Sequence, residues 1–208
     1  MDGVIINSHP AHLLAWKSFL ESVGRETRDE ELDFILEGRK RAEILQHFLG
    51  DLAPEQIVEY GNRKDKLLER GDPVQPMPGI VEFLGRLSDA GIALAVATSA
   101  SRRRALGTLE ELQLAKCFCT VVTGDDVTAG KPDPAIYRLA TERMRESPLH
   151  LLAIEDAVSG VQSARAAGMR CLGVAPSRRA SQLRTAGADS VVQDFRALSL
   201  GQLAAYFG

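Results

Sequence analysis

From Gly79 onward, apolar runs of strand length alternate with stretches of helical pattern, and that alternation limits the fold more than any other feature. The strand candidates are residues 92–97, 118–123, 149–154, 171–174 and 190–192. Helical periodicity covers 79–90, 102–112, 134–145, 158–167 and 179–186. Strands that are apolar throughout, each followed by a helix, belong in a parallel sheet. Every parallel connection has to cross over, and the crossing helices cover both faces. The expected fold class is therefore α/β, with a Rossmann-like parallel sheet as core.

The first third of the chain has another texture. Residues 10–70 are helical in pattern, charged, and without a strand candidate. In the stretch 11–23, Leu13, Leu14, Trp16, Phe19, Leu20 and Val23 are spaced for one helix face, and Gly24 is a natural stop. Further helices are expected over 30–36, 41–49 and 54–68. GDPVQPMPG, residues 71–79, then concentrates prolines and glycines as a linker or hinge does. The expected organisation is a core of residues 1–8 plus 72–208, interrupted by a helical insert over 9–71.

A chain of 208 residues can bury a substantial core as one domain with an insert. Its 25 basic and 28 acidic residues argue against a nucleic-acid binder, which needs a basic face. No apolar run approaches the ~20 residues of a membrane span, and no signal segment is visible. Cys117, Cys119 and Cys171 are an odd set in apolar stretches, expected as reduced, half-buried strand residues. The setting expected from these features is cytoplasmic and the state monomeric.

In open α/β sheets, ligands bind beyond the carboxyl ends of the strands. Thr98-Ser99-Ala100-Ser101 follows the first strand candidate, GDDVTAGKPDP with Lys131 the second, and Glu155-Asp156 the third. Hydroxyls and a helix N-terminus at Ser101 suit a phosphate, although a Thr-Ser pair is also an ordinary helix cap. Lys131 lies in a turn stiffened by Gly130, Pro132 and Pro134, where it aims inward or stays solvated. Adjacent carboxylates at 155 and 156 suit a hard divalent cation, or serve as an acidic N-cap.

Taken together and in this order, MDGVI, VATS, GKPDP and IEDAVSG resemble the motifs of the haloacid dehalogenase superfamily of phosphotransferases. AVSGVQSARAAGM is a further family-like helix, and the insert lies where that superfamily carries a helical cap. The resemblance implies covalent phosphoryl transfer through an aspartyl-phosphate with Mg²⁺. By position, Asp2 matches the acid/base residue, which also offers its backbone carbonyl to the metal. Thr98, with Ser99 and Ala100, matches the phosphate-binding loop, and Lys131 the residue that neutralises transferring charge. Glu155 and Asp156 match the metal carboxylates. Ala157 stands where many relatives carry serine, which implies some loss of hydrogen bonding around the metal site.

The insert resembles the cap of the β-phosphoglucomutase branch. His12 and Trp16 match a His–Trp pair at its active site, Arg41 an arginine that grips the non-transferring phosphate, and Lys64 a lysine that contacts the sugar. Trp16 also suits core packing, His12 a packed helix position, and Arg41 a solvated helix end. The implied substrate is a small phosphorylated sugar. The implied reaction is conversion of β-glucose 1-phosphate to glucose 6-phosphate. Hydrolysis of a sugar phosphate or other organophosphate, and non-catalytic binding of a phosphorylated ligand, are the alternatives. The family's nucleophilic aspartate lies two residues before Asp2, a position this chain does not contain. In the family the strand carrying it is central to the sheet. The retained Lys131, Glu155 and Asp156 favour a sequence truncated upstream over a decayed enzyme. A polypeptide starting at Met1 is expected to be inactive or nearly so.

Overall fold

A computed structural model describes residues 1–37, 41–69 and 74–207 and divides the chain into two units, Met1–Asn7 with Val74–Gly208 and Ser8–Pro73. The first unit is α/β. Its strands are β1 (Ala95–Ala97), β2 (Thr120–Val122), β3 (Leu152–Glu155), β4 (Arg170–Val174) and β5 (Ser190–Val192).

All strand pairings are parallel, as apolar strands separated by helices require. Among the described residues the strands form a two-stranded sheet, β1–β2, and a three-stranded sheet, β3–β4–β5. The apolar residues after Asp2 supply no connecting strand. Ile5 N–H and Ile6 N–H both turn back to the carbonyl of Met1, at 2.8 and 3.2 Å, so the segment is a turn. Its side chains are used nonetheless, since Val4, Ile5 and Ile6 are buried.

Several strand ends also retreat from their apolar runs. Ile92 N–H bonds Leu87 C=O at 3.0 Å and closes the preceding helix instead of opening β1. Leu149, 70% exposed, lies in the 3₁₀ turn Pro148–His150 ahead of β3. Cys117 ends another 3₁₀ turn and Cys119 is exposed, so the expectation of half-buried strand cysteines fails there; Cys171, on β4, is fully buried. Hydrophobicity alone does not separate a strand from the turn that leads into it.

The intervening helices of the α/β unit are α5 (Ile80–Asp89), α6 (Arg102–Glu111), α7 (Ala135–Met144), α8 (Val158–Ala166), α9 (Ser177–Thr185) and the short α10 (Leu200–Ala204), which sequence periodicity missed. One core cluster gathers Val4–Ile6, Phe83, Val96, Leu172 and Phe195; a second gathers Val122, Ile136, Ala153, Val161 and Cys171. Phe83 and Phe195 are fully buried, with ring centroids 5.3 Å apart.

The second unit is helical. Its elements are α1 (His9–Ser22), α2 (Asp29–Leu32) continuing into the 3₁₀ turn Asp33–Glu37, α3 (Arg41–Leu49) and α4 (Pro54–Glu69). Pro54 opens α4 where a missing N–H costs nothing, and Gln56 Oε1 caps the preceding Ala53 N–H at 2.9 Å. Trp16, Phe19 and Leu20 of α1 bury against Leu32, Ile35, Ile44, Leu45 and Phe48. No helix is long and apolar enough to cross a membrane among the described residues.

Truncating a fully buried phenylalanine loses transfer free energy and leaves a cavity, about 3–5 kcal/mol together. Phe195→Ala is expected to lower the unfolding free energy of the chain by that amount, measured by urea denaturation. A loss under about 1 kcal/mol would show that the Phe83–Phe195 contact does not anchor this core.

Candidate active site

The loop that follows β1 is fixed before any ligand arrives. Thr98 is buried, and its N–H bonds Val122 C=O on β2 at 2.9 Å. Its hydroxyl accepts from Ala100 N–H at 3.2 Å, which turns the loop back toward the helix α6 (Arg102–Glu111). Ser101 Oγ caps that helix by accepting from Arg104 N–H, and Asp125 accepts from Arg102 N–H at 2.8 Å. Thr98, Ser99, Ala100 and the N-terminus of α6 therefore converge at the carboxyl end of β1, an arrangement of donors suited to an anion.

The loop after β2 holds this arrangement from the side. Gly124 N–H bonds Ala100 C=O at 2.9 Å. Asp126 accepts from Thr123 N–H and Oγ at 2.8 and 2.7 Å, from Arg143 at 2.8 Å and from Arg102 at 2.6 Å. Hydrogen bonds from Arg143, Thr123 and Arg102 hold its carboxyl well below the usual carboxylate range, against the opposing effect of burial. Sequence reading missed Asp126, Arg102 and Arg143; GDD after a strand was visible, but its distant arginine partners were not.

Lys131 enters through the turn Gly130–Asp133, closed by Asp133 N–H to Gly130 C=O at 3.0 Å. Ser163 Oγ donates to Asp133 C=O at 2.7 Å and ties the turn to the helix α8 (Val158–Ala166). Lys131 Nζ reaches the carbonyl of Ala97, the last residue of β1, at 3.2 Å, and also the carboxylate of Glu155, the last residue of β3. One ammonium thus joins the carboxyl ends of two sheets that share no strand pairing. Both side chains are buried, at 8% and 7% exposure, and Tyr137 Oη donates to the same carboxylate. Removing one member of such a pair strands a charge, at a cost of about 3–5 kcal/mol.

Burial pushes the Glu155 carboxyl up, while the Lys131 charge and the hydrogen bonds from Lys131 and Tyr137 pull it down, and it lies below its ordinary value. Burial and the neighbouring Glu155 push the Tyr137 phenol well up, so it stays a donor. Tyr137 was not anticipated. It lies on the buried face of the helix α7 (Ala135–Met144) with Ile136, Ala140 and Thr141, and only the fold shows that this face meets Glu155.

Mg²⁺ needs several oxygen ligands around it, and the expected ligand set of Asp2, Glu155 and Asp156 does not present them. Asp2 was expected to offer its backbone carbonyl, and its side chain is in a bidentate pair with Arg104, at 3.1 and 2.6 Å. Glu155 is seated against α8, where a Cβ on Gly160 would come within 2.2 Å of its carboxylate. Asp156 is buried, and its carbonyl accepts from Arg179 at 3.2 Å. Among the described residues, no three metal-ligating side chains come together. This side-chain arrangement does not fit the ion. Ala157 offers α8 no side-chain cap, as its identity implies.

In the helical unit the four residues singled out in the insert do cluster. Lys64 is buried at 5% exposure, with its ammonium 3.3 Å from His12 Nδ1 and 5.5 Å from the Trp16 ring centroid. Asp65, unanticipated, accepts from Lys64 at 3.3 Å and from Arg41 at 2.7 Å. Trp16 is at the same time a core residue, at 3% exposure. Gly38, Arg39 and Lys40, which precede Arg41, and residues 70–73 at the linker lie outside the described residues. A cavity of about 410 Å³ lined by Arg170, Ser190, Val192 and Tyr206 lies at the amino ends of β4 and β5 and includes none of these motif residues.

The model of the haloacid dehalogenase-like hydrolase family matches residues 1–174. The chain belongs to that family. A phosphorylated carbohydrates phosphatase of Thermotoga maritima is 34% identical over 93% of this chain and 91% of its own length. The β-phosphoglucomutase of Bacillus subtilis is 30% identical over 96% of this chain and 89% of its own. CbbY of Rhodobacter sphaeroides, solved in complex with phosphate, superposes with a TM-score of 0.80 at 28% identity, covering 98% of this chain and 96% of that one. As a member of this hydrolase family the chain is of enzyme kind, and its relatives include both sugar-phosphate phosphatases and phosphomutases.

Because Asp126 binds its proton less readily in the folded chain than in the unfolded one, its contribution to stability is complete above the unfolded carboxylate value of about 3.9. That contribution is lost as pH falls through the lower folded value. Asp126→Asn is expected to cost about 1.5–3 kcal/mol at neutral pH. The difference from wild type should shrink below about pH 4, read from unfolding free energies across a pH series. A difference independent of pH would show that the carboxylate charge contributes nothing.

Proposed function

We propose that the α/β unit is the phosphoryl-transfer site of an enzyme acting on a small phosphorylated sugar, with the helical unit as the cap that receives the rest of the substrate. The observation that carries this reading is the placement of Lys131 at the carboxyl ends of β1 and β3, beside the Thr98–Ser101 loop. A transferring phosphoryl group spreads negative charge over its equatorial oxygens. Catalysis then consists mainly of positioning that group and neutralising its charge. The Thr98 hydroxyl, the Ser99 N–H group and the Lys131 ammonium are the donors for that task.

In this reading an aspartate two residues before Asp2 attacks phosphorus, and the ester oxygen leaves with a proton from Asp2. Water then attacks the aspartyl-phosphate as Asp2 takes its proton back, releasing phosphate and restoring the carboxylate. Arg104 pairs with the Asp2 carboxylate and fixes its position. Transfer to water is the outcome the helical unit favours, because Arg41 is engaged by Asp65. Transfer back to sugar, from β-glucose 1-phosphate to glucose 6-phosphate, has the Bacillus relative in its support and requires Arg41 to turn to a second phosphate. Magnesium, expected from the sequence, would take the backbone carbonyl of Asp2 and would require Glu155 to leave its present partners. A cytoplasmic setting accords with a sugar-phosphate substrate.

A polypeptide beginning at Met1 has no carboxylate at the attacking position. Phosphate release from sugar monophosphates, assayed with magnesium in the buffer, is expected to be at background for the 208-residue chain. An otherwise identical polypeptide extended upstream by an apolar strand ending in Asp, two residues before Asp2, should turn over. Robust release by the unextended chain would refute the assigned nucleophile, and no release by the extended chain would refute the proposed reaction.

A further inference from the structure

The cations of the helical unit share one carboxylate. Asp65 accepts from Arg41 at 2.7 Å and from Lys64 at 3.3 Å. Lys64 is further confined by His12 and the Trp16 ring, so its ammonium has a fixed place. The Arg41 contact is built into the helix surface. Gly61 lies one turn before Asp65 on α4, and a Cβ there would fall 2.6 Å from Arg41 Nε and 2.7 Å from Cδ and Cζ. The missing side chain lets Arg41 lie flat across α4 and reach the carboxylate four residues on, a spacing that places both positions on one helix face.

We propose that Asp65 is the specificity-determining residue of the helical unit: it holds Arg41 and Lys64 so that this surface accepts the uncharged, hydroxyl-bearing end of a sugar monophosphate and disfavours a second phosphate. The proposal rests on the reading above that the helical unit receives the part of the substrate remote from the reacting phosphate. Sugar hydroxyls both donate and accept, so they bond a paired Arg–Asp edge without separating it. A phosphate monoester is largely dianionic at neutral pH and has no proton to offer the carboxylate. To take the arginine it must displace Asp65 and then remain beside its charge. Arg41 and Asp65 are about half exposed, at 45% and 48%, so solvent screens this repulsion and the discrimination is moderate.

The test is calorimetric titration of the full chain with fructose 6-phosphate and with fructose 1,6-bisphosphate. Wild type, Asp65→Asn, and Asp65→Asn combined with Arg41→Ala are compared. Asp65→Asn is expected to shift the ratio of the two dissociation constants about tenfold toward the bisphosphate. Added salt should reduce the shift, and the second substitution should abolish it. Asp65→Ser provides the same reading should Asn perturb the helix, with folding checked by thermal melts. An unchanged ratio in a folded Asp65 variant overturns the role of Asp65 and leaves the proposed function standing. A shift that survives Arg41→Ala overturns the mechanism through Arg41. Absence of binding by either sugar to every variant overturns the proposed function and this inference with it.

Discussion

The ion pair between Lys131 and Glu155 is the constraint around which the α/β unit is arranged. A buried pair gains little over apolar packing unless its remaining donors and acceptors are satisfied. Here Tyr137 donates to the carboxylate and Ala97 C=O accepts from the ammonium. The pair also has a structural location that no apolar substitute could use. It joins the end of β1 to the end of β3, two strands that belong to separate sheets. The turn that carries Lys131 is fastened to α8 by Ser163, and Glu155 is seated on the same helix by Gly160. Cation and anion are therefore set by one helix, which explains how their geometry is maintained although their strands are not paired.

The same two side chains tie structure to chemistry in a specific way. A lysine held by Glu155 and Ala97 is not at that moment holding phosphate. Asp2, held by Arg104, is likewise engaged. Around the Thr98–Ser101 loop, by contrast, the interactions act on the backbone: Asp125 caps the helix, Asp126 ties the following loop to two arginines, and Gly124 anchors Ala100. The donors of the loop are thus preorganised, while the two charged groups that would act on the reacting phosphate are stabilised by internal partners. An incoming dianion offers Lys131 a second partner and draws on an ammonium already desolvated, where electrostatic attraction is strongest.

How far the sequence disclosed this can be argued element by element. Parallel α/β character was legible because apolar strands and helices alternate with unambiguous period, and β5 and α3 coincide with their expected spans. Val4–Ile6 has a strand's composition and folds as a turn, because its amides bond back to Met1. At the site, Thr98, Lys131 and Glu155 could be named from their positions after strands. Tyr137, which reaches Glu155, Arg104, which pairs with Asp2, and Arg102, which pairs with Asp126, could not, since each of these contacts spans 18 or more residues of chain. In the helical unit His12, Trp16, Arg41 and Lys64 were legible as a set through resemblance, and Asp65 between them was not.

Asp65 shows why single residues named by resemblance are an incomplete description of a binding surface. Arg41 and Lys64 alone describe a doubly cationic patch, whereas Asp65 makes it a paired one. The difference is one side chain, adjacent in sequence to Lys64 and one helical turn from Gly61, which gives Arg41 its path. Electrostatics at a half-exposed surface tunes selectivity more than affinity, because screening weakens each attraction while unlike ligands still feel different charge.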